Sequence, residues 1–126
     1  MNTHNFEQLD VWKRACRMAV DVCVAFHGSK DYALKDQVQR SAISIPSNIA
    51  EGAERPSRPD FLRFLGYSKG SCGELRTQLM IHLGVCRDLN IEPAGKTKEL
   101  IEETREVARM LSGLIQRVET EAQSQP

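Results

Sequence analysis

The sequence predicts an all-α protein: an antiparallel up-down-up-down bundle of four long helices, in one domain over residues 1–126. Three observations predict it. Apolar residues recur at spacings of three and four through four long segments, the period of an amphipathic helix. Short stretches marked by Gly and Pro separate the segments, and short connections between long helices favour antiparallel neighbours. No stretch alternates apolar and polar residues as a strand would, and no internal repeat or low-complexity segment is evident.

The first helix is expected over residues 9–26. Trp12, Cys16, Ala19, Cys23 and Phe26 lie on one stripe, and Ala15, Met18 and Val22 widen it, as a helix packed against two neighbours requires. His27, Gly28 and Ser29 end it, with Gly28 as the C-terminal cap. The second helix spans 32–54 and contains Pro46, which removes a hydrogen bond and crowds the Ala42 carbonyl. Leu34, Val38, Ala42, Ile45, Ile49 and Ala53 keep one phase across it, so a kinked single helix is expected rather than two.

The turn from Arg55 to Asp60 is a helix-start signal: Ser57 as cap, Pro59 in the first turn, and Asp60 where an acid favours a helix N-terminus. The third helix then runs to about Leu89, with Phe61, Leu65, Ser68, Cys72, Leu75, Leu79, Leu83 and Cys86 as its core stripe. Gly66, Gly70, Gly73 and Gly84 each cost about 1 kcal/mol relative to Ala there, which implies close backbone approach or a bend. After a turn at 90–95, the fourth helix carries Leu100, Thr104, Val107, Leu111, Leu114 and Val118 in coiled-coil-like spacing. Glu99, Glu102, Glu103 and Glu106 read as its solvated side, and fraying is expected after Thr120.

Lys plus Arg and Asp plus Glu both number 17, so the net charge is zero. Through Arg58 there are 8 basic and 7 acidic residues, and beyond it 9 and 10. Neither part is a basic module, which argues against a strong nonspecific hold on nucleic acid while leaving room for a local basic patch. The four cysteines, Cys16, Cys23, Cys72 and Cys86, lack Cys-x-x-Cys spacing and fall among apolar helical positions, so they read as core thiols. No apolar run approaches the roughly 20 residues that span a bilayer. A soluble, cytoplasmic protein without membrane contact is expected.

Motifs for catalysis, metals and cofactors are not found. No Glu precedes a His by three positions, as a di-iron bundle needs, and no phosphate loop occurs; the Gly-x-Ser-x-Gly spacing of Gly66 to Gly70 lies inside a helical pattern with no strand before it, so it is not a nucleophile turn. Cys72 and His82 stand ten residues apart on one helix, about 15 Å along its axis, too far to act as thiol and base. No catalytic, cofactor or metal residue is therefore assigned, and the protein is expected not to be an enzyme.

The candidate site is the polar face of the second helix, where Arg40, Ser44, Ser47, Asn48 and Glu51 gather. Ser and Asn are poor helix formers, and a merely solvated face would carry long charged side chains. Arg40, Ser44, Asn48 and Glu51 are expected to form a network or subunit interface with Ser71 and Glu74 of the third helix, Glu74 pairing with Arg40. The competing reading is a ligand or RNA site, with Arg40 meeting phosphate and Asn48 a base edge; Glu51 and Glu74 would repel a phosphate backbone.

Several stretches resemble the four-helix bundle family named for 23S rRNA intervening sequences. They are Phe6-x-x-Leu9-x-Val11-Trp12-x-x-Ala15, the run Gln37-x-x-Arg40-Ser41-Ala42-x-Ser44-Ile45-Pro46-Ser47-Asn48-Ile49-Ala50-Glu51-Gly52, Phe61-Leu62-Arg63-Phe64-Leu65 and Gly70-Ser71-Cys72-Gly73-Glu74-Leu75. The chain departs from that family in its first loop, residues 26–31. The resemblance implies the same bundle and a homo-oligomeric ring, a pentamer. The resulting expectation is an interaction or scaffold protein that assembles with itself. The alternative is an RNA-binding accessory protein, tied to rRNA intervening sequences or to a reverse transcriptase, with Arg55, Arg58 and Arg63 as its nucleic-acid contacts.

Overall fold

The computed structural model describes residues 5–124. A single 3₁₀ turn, Phe6–Gln8, leads into α1 (Asp10–Ala25), α2 (Tyr32–Ala53), α3 (Arg58–Leu89) and α4 (Thr97–Ser124), with no strand among the described residues. Local chemistry explains the boundaries. The Asp31 carboxylate accepts the Leu34 N–H at 3.2 Å and starts α2, and Ser57 accepts the Asp60 N–H at 3.2 Å and starts α3. At the end of α3, Asn90 adopts a left-handed conformation (φ 56°) and the Ile91 N–H reaches back to the Cys86 carbonyl at 2.9 Å, the hydrogen-bond pattern of a Schellman stop.

The neighbouring helices run antiparallel. Along α2 and α3, Ser41 donates to Glu74 Oε1 at 3.0 Å, the Ser68 hydroxyl donates to the Ile45 carbonyl at 2.8 Å, and Gly52 lies against Phe61 and Phe64. Between α3 and α4, the Ala94 N–H donates to His82 Nε2 at 2.9 Å and Arg76 Nε to Thr104 Oγ1 at 2.9 Å. Each helix packs against two neighbours, and among the described residues neither diagonal pair, α1 with α3 or α2 with α4, has Cα atoms within 8 Å. The cross-section is a square with four distinct flanks.

One core fills the square. Val38, Ala42, Ile45 and Ile49 of α2, Phe61, Leu65, Cys72, Leu75 and Leu79 of α3, and Val107, Leu111 and Val118 of α4 are buried with Met18, Val22 and Phe26. Helix α2 passes through Pro46 without a break. Pro46 itself is buried, and the Ser68 hydroxyl adds a partner to the carbonyl just before it.

Five expectations are corrected. In α1 the buried line is Val11, Ala15, Met18, Ala19 and Val22, while Trp12, Cys16 and Cys23 are half-buried; apolar residues on both sides of the true stripe blurred its phase. Gly28 is not a left-handed cap, because no described glycine has positive φ and the turn closes instead through the Ser29 N–H on the Phe26 carbonyl. Glu103 is not merely solvated: it receives Arg14 of α1 through two hydrogen bonds of 2.7 and 2.9 Å. Helix α4 continues past Thr120 to Ser124. Lastly, a Cβ at Gly66, Gly70 or Gly73 would meet nothing within 4 Å, whereas one at Gly52 would stand 2.7 Å from Phe64 Cβ. The close approach falls at the α2 end, where Gly52 lets the start of α3 pack.

Candidate functional site

The polar face of α2 lies on the flank it shares with α3, together with Ser71 and Glu74. Its side chains are tied mostly within their own helix. Ser44 donates to the Ser41 carbonyl at 2.7 Å, and Asn48 Nδ2 to the Ser44 carbonyl at 2.8 Å. Both are back-bonds of the kind short polar side chains make in helices. Arg40 pairs with Asp36 one turn earlier at 3.0 Å, not with Glu74, which instead accepts from Ser41. The i−4 carboxylate is the nearer partner for a long side chain on an exposed helix face. Glu51 lies 3.4 Å from Arg55 Nε, again one turn away. The six expected residues therefore share a flank without forming the expected interhelical network; α2 and α3 are bridged instead by Ser41 on Glu74 and by Ser68 on the Ile45 carbonyl.

Arg55, Arg58 and Arg63 gather where α2 turns into α3. The Arg55 and Arg63 guanidinium carbons lie 4.9 and 5.3 Å from the Phe64 ring centroid, and Tyr67 meets that ring edge-on at 5.4 Å. Cations over an aromatic face are attracted by its quadrupole. Arg63 also binds Asp60 at 3.0 Å, and with Glu51 on Arg55 two of the three cations have a carboxylate on their own helix or one turn away.

His82 and Cys86 are one turn apart, with Cys86 Sγ 3.6 Å from His82 Nε2 and the imidazole 4.9 Å from the Phe26 ring centroid. Sequence reasoning paired His82 with Cys72 and set that pair aside; the i, i+4 spacing to Cys86 was the available signal. Since His82 Nε2 accepts the Ala94 N–H, the neutral imidazole fits here, and burial lowers its pKa against a smaller opposing pull from Asp31. Burial raises the Cys86 thiol, with Glu92 adding to the effect, and pushes Cys72 up to about 11. Thiols held protonated are poor nucleophiles. All four cysteines are free, and no group of three or more metal-ligating side chains gathers among the described residues. No described helix is long and apolar enough to cross a membrane.

Two apolar grooves were missed. One, about 580 Å³, lies between α1 and α2 and is lined by Ala19, Val20, Cys23, Val24, His27 and Ile43. The other, about 540 Å³, lies between α3, its following turn and α4, where Met80, Leu83, Gly84, Ile91 and Pro93 are flanked by Arg87 and Lys98. Val24 is 69% exposed and Ile91 56%. In a square bundle the α1/α2 and α3/α4 flanks are opposite, and the C-terminal ends of α1 and α3 point the same way. The grooves therefore sit at the same end of the molecule, on opposite sides. The sequence signal was apolar residues out of phase with the core stripe, Val20, Val24 and Ile43 in particular.

The chain matches the family model described as 23S rRNA-intervening sequence protein over residues 7–113. It is also similar to a crystal structure of a protein of unknown function from the S23 ribosomal protein family of Bacteroides thetaiotaomicron VPI-5482. The TM-score is 0.71 at 22% sequence identity, covering 83% of this chain and 97% of that one; at that identity the likeness speaks to the fold alone. A comparison with curated proteins finds no match.

Proposed function

The chain belongs to the 23S rRNA-intervening sequence protein family, and on that premise we propose that it is a self-assembling interaction or scaffold protein, working by association rather than catalysis. One observation carries the reading: two unlike apolar grooves on opposite flanks at the same end of the bundle. A second copy, related by rotation about an axis parallel to the helices, brings the α1/α2 groove of one subunit level with the α3/α4 groove of the next. Such a contact is heterologous, and repeated it closes into a ring when the rotation from copy to copy divides a full turn. We take the ring to be the homopentamer implied by the sequence resemblance. The α2/α3 flank, with Arg40, Ser44, Asn48, Glu51, Ser71 and Glu74, then repeats along one side of the ring as a polar surface offered to a partner.

The test uses two exposed positions, so that folding is left intact. Val24→Glu spoils one groove and Ile91→Glu the other, and light scattering after gel filtration reads the mass. Each variant alone is expected to be monomeric, because burying an unpaired carboxylate is costly. Mixed, they are expected to form a dimer that cannot grow, since each retains the groove the other lacks. Two variants that both assemble like the parent, or a mixture that stays monomeric, would contradict the proposal.

A further inference from the structure

The lower half of the α3/α4 flank, away from the apolar groove, holds an open channel of about 400 Å³ lined by Lys69 and Arg76 of α3 and Arg105, Ala108, Arg109 and Ser112 of α4. In a chain of zero net charge, four cations and no acid line one groove. Antiparallel packing brings them together. Arg76 and Arg105 stand level because Arg76 Nε is fixed on Thr104, and Lys69 lies two turns away, level with Ser112. Arg105 and Arg109 are paired with Glu102 and Glu106 of their own helix. Lys69 and Arg76 have no carboxylate partner among the described residues, so the channel has net positive charge.

The outer surface of α3 beside these cations is bare. Gly73 falls between Lys69 and Arg76 on the same helix face, and a Cβ there, or at neighbouring Gly66 or Gly70, would meet nothing within 4 Å. Each glycine costs about 1 kcal/mol of helix propensity, and nothing in this chain packs into the space they leave. Glycine on an exposed helix admits a ligand close to the backbone.

We propose that the Lys69–Arg76–Arg105–Arg109 channel binds a phosphate chain, running along the groove between α3 and α4. Successive cations on one helix face lie about 6 Å (four residues) to 10 Å (seven residues) apart along the axis, so an extended chain meets them with several phosphates in turn. The chemistry is shared by single-stranded RNA and by inorganic polyphosphate. The channel lies on the α3/α4 flank that the proposed ring sets against the next copy, so the Val24→Glu protein, expected to be monomeric, is the background in which it is fully open.

Fluorescence anisotropy of a labelled oligouridylate tests the proposal, in parent protein and in Val24→Glu, with inorganic polyphosphate as unlabelled competitor. If about four phosphates are engaged, raising salt from about 50 to 200 mM should weaken binding about 50-fold, and only about sevenfold in Lys69→Glu/Arg109→Glu, where two cations remain. That double variant should also bind at least tenfold more weakly at low salt, while Lys13→Glu/Lys30→Glu, reversing as much charge elsewhere, should bind like the parent. Melting by circular dichroism confirms that the variants fold. Polyphosphate should displace the oligonucleotide. Displacement at lower phosphate concentration than unlabelled oligouridylate needs points to polyphosphate as the source; the reverse order points to RNA. Equal losses in both double variants, no displacement by polyphosphate, or no binding at low salt in either background would overturn the proposal.

Discussion

Replacing Gly52 by alanine tests the packing of α2 on α3 more sharply than truncating a core side chain, because two terms of opposite sign compete. Alanine in a helix interior gains about 0.5–1 kcal/mol over glycine. Against that, the new Cβ would stand 2.7 Å from Phe64 Cβ and 3.1 Å from Phe61 Cδ1, where ordinary contact begins at 3.4 Å. Phe64 Cβ cannot swing aside, since it is bonded to the α3 backbone, so the first turns of α3 must move away from α2. Overpacking of that kind costs about 1–3 kcal/mol, and the clash should win by about 1–2 kcal/mol. For a chain of this length, that is a fall in Tm of about 4–8 °C. Gly70→Ala is the matched control. Nothing lies within 4 Å of its new methyl, so the propensity gain stands alone and Tm should rise by about 2–4 °C. Thermal melts monitored by circular dichroism at one protein concentration read both. A Gly52→Ala protein more stable than the parent would refute the assigned register of α2 on α3.

Two further outcomes follow from the same contacts. The folded-state pKa of His82 is lowered from its ordinary 6.5, so the unfolded chain binds the proton more readily; stability is full above about pH 6.5 and is lost as pH falls through the folded value. Urea unfolding at about pH 7.5 and 5.5 should show that loss, and His82→Phe, which keeps an aromatic ring against Phe26, should flatten it; an unchanged slope would remove His82 as its cause. The Arg14–Glu103 pair is bidentate but only part-buried, with side chains 46% and 26% exposed. A double-mutant cycle should therefore return a coupling of about 0.5–1 kcal/mol, reduced in about 0.5 M salt; a zero coupling would mean that α1 and α4 are held by apolar packing alone.

The helices were legible because their apolar spacing is regular. Every stripe residue assigned to α4, from Leu100 to Val118, is buried, and those of α3 are buried except Leu83, which is half-buried. Helix α1 was harder to read, because Trp12, Cys16 and Cys23 extend its apolar surface toward the α1/α2 groove. What one helix's periodicity cannot state is which neighbour sits at which height. That is why Gly52 was not distinguished from Gly66, Gly70 and Gly73, and why the four cations of the channel, drawn from two helices, were not grouped. The partners expected for the polar face of α2 are not the ones its side chains take: Ser44 and Asn48 turn back on carbonyls of their own helix, and Arg40 takes the carboxylate one turn away. Local bonds of that kind compete with the longer-range partners that shared position suggests.

The central claim is that this bundle works as a ring of copies joined groove to groove. Native mass spectrometry of the protein, purified without nuclease, tests it most directly. The account predicts a single closed species of five identical subunits that Val24→Glu reduces to monomer. A parent protein that is monomeric at micromolar concentration, or a ring that Val24→Glu leaves untouched, would contradict it.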